Sequence, residues 1–83
     1  MESSNNPQFL TYGQMFVGIN FNPSNDDKVA KAKQLCADLT DLLIYNVGDV
    51  KELSEMKERM LQHALGEILN AQMNVVKVLT FNY

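Results

Sequence analysis

The 83-residue chain has one cysteine, Cys36, and one histidine, His63. A lone cysteine excludes an intrachain disulfide, and the pair falls short of the about four ligands of a structural zinc site. Length is short as well. A chain of this size buries a modest share of its unfolded surface, and without disulfides or metal such folds close their core by association. Charge of one sign is also lacking: 7 Lys+Arg against 10 Asp+Glu leave a net charge of −3. That balance lacks the basic face of a general binder of polymeric nucleic acid. It leaves room for a small anion held by a few placed cations. No apolar run approaches the ~18 residues of a membrane span. The opening MESSNNPQ has neither the basic start nor the apolar stretch of an export signal. A free thiol without an export signal points to the cytoplasm.

Catalytic groups are equally sparse. His63 sits between Met60 and Leu65 in a helical pattern and reads as a helix-surface or interface residue. Cys36 falls on an apolar stripe, where the surroundings keep a thiol protonated and inert. Glu52, Glu55, Glu58 and Glu67 interleave with Lys51, Lys57 and Arg59, the pattern of solvated helix-surface pairs. No GxGxxG, P-loop or HExxH motif occurs. No catalysis is expected, and no cofactor or metal is called for.

What the chain does have is helical periodicity. Residues 1–8 are polar and read as a flexible tail; residues 9–83 read as one helical domain. Phe9 to Phe21, FLTYGQMFVGINF, mixes aromatic and β-branched residues with two glycines. Periodicity leaves helix and strand open over a run of this length; a short helical turn followed by an extended arm is favoured. Pro23 pushes Asn22 out of the α region, and Ser24 with Asp27 three residues on resembles a capping box. A first helix is therefore expected from about Asn25 to Tyr45, with Val29, Ala32, Leu35, Cys36, Leu39, Leu42 and Leu43 inward. Lys31, Lys33, Asp38 and Asp41 are expected mostly off that face. Asn46-Val47-Gly48-Asp49 is a break suited to a left-handed cap. A second helix follows from about Val50 to Leu79. At 1.5 Å per residue the helices are roughly 30 and 45 Å long, so the second overhangs the first by two or three turns. Those turns carry Val75, Val76, Val78 and Leu79, too much apolar surface to leave in water. The expected fold class is all-α: an antiparallel helical hairpin with a short N-terminal helix or arm, assembling into a compact homo-oligomer.

One stretch suggests ligand chemistry. Phe21-Asn22-Pro23-Ser24 leads into Lys28, Lys31 and Lys33. A helix start presents unpaired N–H groups that suit phosphate. Asn22 and Ser24 add hydrogen bonds, Lys28 lies one turn in, and Tyr12 or Phe21 offers a face on which a base can stack. Asp26 and Asp27 oppose an anion there. A capped helix with packed aromatics explains the same residues without a ligand.

Val17 to Leu43 and Glu58 to Phe81 resemble the small phage anti-CBASS proteins. The likeness lies in FNPS, the Lys-Val step opening the first helix, Ala-Asp-Leu-x-Asp-Leu-Leu at its end, and Ala-Gln-Met-x-x-Val-Lys in the second. These proteins are sponges that sequester the cyclic oligonucleotide signals of a bacterial antiviral system, and are related to phage sponges for cyclic ADP-ribose signals. The resemblance implies a hexamer of interlocked hairpins in the host bacterial cytoplasm. Cyclic dinucleotides such as cGAMP would sit in pockets shared by two protomers. It implies stacking by Tyr12 or Phe21, phosphate contact by Lys28, and support from Asn22 and Ser24. A separate site for cyclic trinucleotides would use Arg59. The competing reading is a helical protein-binding module or inhibitor that docks its apolar helix on a host protein.

Overall fold

The computed structural model describes residues 9–82. Their order is α1 (Tyr12–Phe16), α2 (Asp27–Ile44), a 3-10 turn (Val50–Glu52) and α3 (Glu55–Thr80), with no strand among the described residues. The expected tail over residues 1–8 lies outside them.

α1 is held by a reciprocal cap. The Gln14 N–H donates to Thr11 Oγ1 at 3.1 Å, and the Thr11 N–H donates to Gln14 Oε1 at 3.0 Å, satisfying two donors that a helix start otherwise leaves free. This short helix is pinned along α2. The Gly13 N–H donates to Asp41 Oδ1 at 2.6 Å, and the Tyr12 N–H to the Tyr45 hydroxyl at 3.3 Å. A Cβ on Gly13 would stand 2.1 Å from the Ala37 carbonyl oxygen, so the approach needs glycine. The segment 9–21 is thus a helical turn followed by turns, and Asp41 serves α1 rather than water.

α2 starts later than expected. Its cap is Asp26, whose Oδ1 accepts the Lys28 N–H at 2.7 Å. Ser24 instead donates to Asn22 Oδ1 at 2.7 Å and accepts the Asp26 N–H at 3.3 Å. The reason is local: Asn25 takes φ 54°, a left-handed value that asparagine tolerates and a helix interior does not. Residues 22–25 therefore fold as a turn of their own. The expected single helix from Val50 is also divided. Asp49 caps the 3-10 turn, Leu53 is extended, and Ser54 caps α3 by accepting the Lys57 N–H at 3.2 Å.

α2 and α3 run antiparallel. The C-terminal half of α2 faces Ala64 and Ile68, and its N-terminal half faces Leu69 to Thr80. The buried apolar residues are Val17, Val29, Ala32, Ala37, Leu61, Leu65 and Ile68. Leu35, Leu39 and Leu42, expected inward, are 57%, 52% and 63% exposed, whereas Lys33 is buried. The apolar stripe of α2 is wider than its contact with α3, and the half away from α1 stays bare. The molecule is a plate of 43 × 41 × 14 Å. No helix among the described residues is long and apolar enough to cross a membrane.

Candidate functional site

The larger of two main cavities, about 680 Å³, lies between the Val17–Ser24 segment, the start of α2 and the end of α3. Its walls are largely apolar, with Val17, Val29, Leu69, Met73 and Val76 among them, and Phe21 forms an aromatic side. Lys33 and Lys77 line it, with no carboxylate among the lining residues. In a chain of net charge −3, such a local cationic field suits an anion with a flat apolar body.

Its floor is built by two polar residues rooted in the helices. Lys33, 6% exposed, donates through Nζ to the Gly18 carbonyl at 3.0 Å and to the Phe21 carbonyl, and stands 5.3 Å from the Phe21 ring centroid. Burying an ammonium is costly without compensation; here carbonyls and the ring face supply it, with no acidic partner in salt-bridge range among the described residues. The φ of +66° at Gly18 lets the chain turn so that successive carbonyls face the helices. Gln72, 7% exposed, donates from Nε2 to the Val17 carbonyl at 3.2 Å, while its Oε1 is buried without a partner. The two side chains thus fasten the Val17–Phe21 segment to α2 and α3.

The residues singled out from the sequence are divided by the fold. Phe21, Asn22 and Ser24 line the cavity, Asn22 being fixed by donation from Nδ2 to the Asp26 carbonyl at 3.2 Å. Lys28 does not line it: its side chain is 72% exposed, with Nζ 3.9 Å from Asp26 Oδ1. The expected phosphate cradle at the helix start is occupied by the Asp26 carboxylate. Tyr12 stacks on Phe16 with centroids 5.9 Å apart and packs near Tyr45, at the opposite end of α2. Arg59 pairs with Glu55 at 2.9 Å on the outer surface of α3.

Lys33 closes the stretch read for ligand chemistry but was given no role in it, and Gln72 and Lys77 were given none although they belong to the Ala-Gln-Met-x-x-Val-Lys run. A signal was available. Gln72 continues the buried row Leu61, Leu65, Ile68 at steps of four, three and four, and Lys33 stands one turn after Val29. A polar residue on an inward row is the informative kind of exception.

The second cavity, about 520 Å³, is lined by Leu39, Leu42, Leu43, Ala64 and Ile68, with Asn46, Val47 and Lys57. It is an apolar groove on the bare side of the hairpin. Comparison with known proteins adds no identity: no family model, curated protein or solved structure matches the chain.

Proposed function

We propose that the protein binds and sequesters cyclic oligonucleotide second messengers, cyclic dinucleotides first, as a homo-oligomer in the bacterial cytoplasm, and so blocks CBASS antiviral signalling without degrading the ligand. The observation that carries the reading is the large cavity, with two lysines, an aromatic wall and no carboxylate. Phe21 is 71% exposed and has one face toward Lys33, so its other face is open to a base. A sponge needs affinity rather than turnover, and an open cavity on one chain becomes a closed pocket when a second copy covers it. A two-fold assembly supplies each lysine and aromatic twice, matching a ring with two phosphates and two bases. Tyr12, remote from its own cavity, contributes through a neighbouring copy, and Lys28 meets phosphate at the mouth. Arg59, exposed on the first turns of α3, serves cyclic trinucleotides at a separate junction.

Calorimetric titration with a panel of cyclic dinucleotides and trinucleotides tests the proposal. Binding is expected, with intact ligand recovered after denaturing the protein. A folded oligomer that gives no heat with any member of the panel overturns it. The apolar groove beside Leu39 and Ala64 favours one competing reading, a module that docks a helix of a host protein. A stoichiometric protein partner bound in the absence of nucleotide affinity is the outcome that selects it.

A further inference from the structure

We infer that Lys77 is the phosphate anchor of the large cavity, the cation that meets the ligand's charge while the Phe21 wall takes a base. The inference rests on the nucleotide reading above and assigns the phosphate contact to a residue outside the helix-start stretch. The polar side chains lining the cavity are Asn22, Ser24, Lys33, Gln72, Lys77 and Thr80. An anion is held by donors, and every one of these side chains except Lys77 donates to the chain itself. The Ser24 hydroxyl donates to Asn22 Oδ1 at 2.7 Å, and the Thr80 hydroxyl to the Val76 carbonyl at 2.8 Å. The amides of Asn22 and Gln72 donate to the carbonyls of Asp26 and Val17, each at 3.2 Å. Lys33 donates to the Gly18 and Phe21 carbonyls and is 6% exposed, packed under the segment that it fastens. Its charge shapes the field of the cavity, while its contacts are made within the chain.

Lys77 differs from all of these. It is exposed, stands in the last turn of α3, and forms no ion pair and no side-chain hydrogen bond among the described residues. No Asp or Glu occurs from Ile68 to Thr80, and none lines the cavity. Lys28, the cation expected from the sequence, has its Nζ 3.9 Å from Asp26 Oδ1 and lies outside the lining. The ammonium donors of Lys77 are therefore all available, on a flexible stem. Its neighbours along α3, Met73 and Val76, line the same cavity, so a ligand whose phosphate meets Lys77 keeps its rings against apolar wall. A cation in a last turn also suits the helix dipole. That role concerns stability alone, and a salt-dependent loss of ligand affinity tells the two apart.

Calorimetric titration of the full chain with cyclic di-GMP, cyclic di-AMP and cGAMP selects the tightest binder, which is then carried to the variants. Lys77→Gln is expected to weaken it by about tenfold or more at low ionic strength, with the gap to wild type narrowing as salt is raised. Lys77→Arg keeps the charge and is expected to stay within about threefold of wild type. Lys51→Gln removes a lysine at the far end of the hairpin, outside the cavity lining, and is expected to stay within about twofold. Lysine acetylation of the wild-type protein, read by mass spectrometry, needs no variant to fold: saturating ligand is expected to protect Lys77 and leave Lys51 reacting as before. Unchanged affinity in Lys77→Gln, a loss that salt does not reduce, a loss matched by Lys51→Gln, or equal acetylation of Lys77 with and without ligand overturns the inference while leaving the sponge reading in place. No binding of any cyclic nucleotide to the wild-type protein overturns both.

Discussion

At the scale of single residues, Lys33 decides most. Its ammonium ties the carbonyls of Gly18 and Phe21 to α2 and sets the Phe21 ring at 5.3 Å. Lys33→Met keeps the buried stem and removes the charge and both hydrogen bonds. It is expected to weaken cyclic dinucleotide binding by more than tenfold, about 1.4 kcal/mol or above, and to speed amide hydrogen exchange over residues 18–21. Lys28→Ala is expected to weaken binding while leaving exchange in that segment unchanged, because Lys28 touches only the exposed side of Asp26. Equal exchange behaviour in the two variants would count against Lys33 as the fastening. Cys36 gives a pH test. Burial pushes its thiol above the usual value, so the folded chain holds the neutral form to higher pH than the unfolded chain does. Above the unfolded thiol pKa the folded state binds more protons, and by linkage this contribution to stability declines as pH rises. Alkylation of Cys36 at pH 8 is expected to be slower in the native protein than in denaturant; equal rates would show an open thiol.

At the scale of elements, the cap of α2 separates two positions that look alike in the sequence. Asp26→Ala removes the acceptor for the Lys28 N–H and is expected to cost about 1 kcal/mol in denaturant unfolding. Ser24→Ala removes the bonds to Asn22 Oδ1 and from the Asp26 N–H but leaves the Asp26 cap on Lys28 in place, and is expected to cost less than half of that. The reverse order would move the helix start back to Ser24. Existence and direction of both long helices were legible, because their apolar steps of three and four are sustained over many turns. Starts were not, since Ser24 and Asp26 are both good caps, and the left-handed backbone of Asn25 that chooses between them is set by the turn. The short α1 was only half legible. Thr11 and Gln14 form a capping box, but docking on α2 depends on Gly13 meeting Ala37, a contact between residues far apart in the chain. The cavity was legible on one wall, Phe21 to Ser24. Its floor was not, because Lys33 was expected mostly off the apolar face of α2. Its carbonyl partners, Gly18 and Phe21, come from the arm whose path was open.

At the scale of the whole molecule, the decisive fact is thinness. The plate is 14 Å in its shortest dimension, and among the described residues only Ala37 and Thr40 are fully shielded from solvent. Its accessible surface is 6089 Å², against about 5,000 Å² for a compact monomer of its mass. Leu35, Leu39 and Leu42, each more than half exposed, lie at steps of four and three along α2, and the groove beside them continues onto Ala64 of α3. At about 1.5–3 kcal/mol for a leucine fully buried, covering the part of these three that is exposed contributes roughly 2.5–5 kcal/mol per copy before ordering costs. Micromolar association takes about 8 kcal/mol net, so the stripe holds copies together in concert with further apolar contacts beside it. Leu39→Asp places a charge in the middle of this stripe without touching the buried residues of α2. It is expected to shift the sedimenting species to a single chain, retain far-ultraviolet helicity and lose cyclic dinucleotide binding, because the cavity then lacks its second wall. The order of events matters for the claim. If the variant sediments as one chain yet binds with unchanged affinity, the single-chain cavity is sufficient and assembly serves stability alone. If it remains assembled, the contact lies on another surface, such as the exposed Val75 and Val78 of α3, and the leucine stripe is free for a different partner.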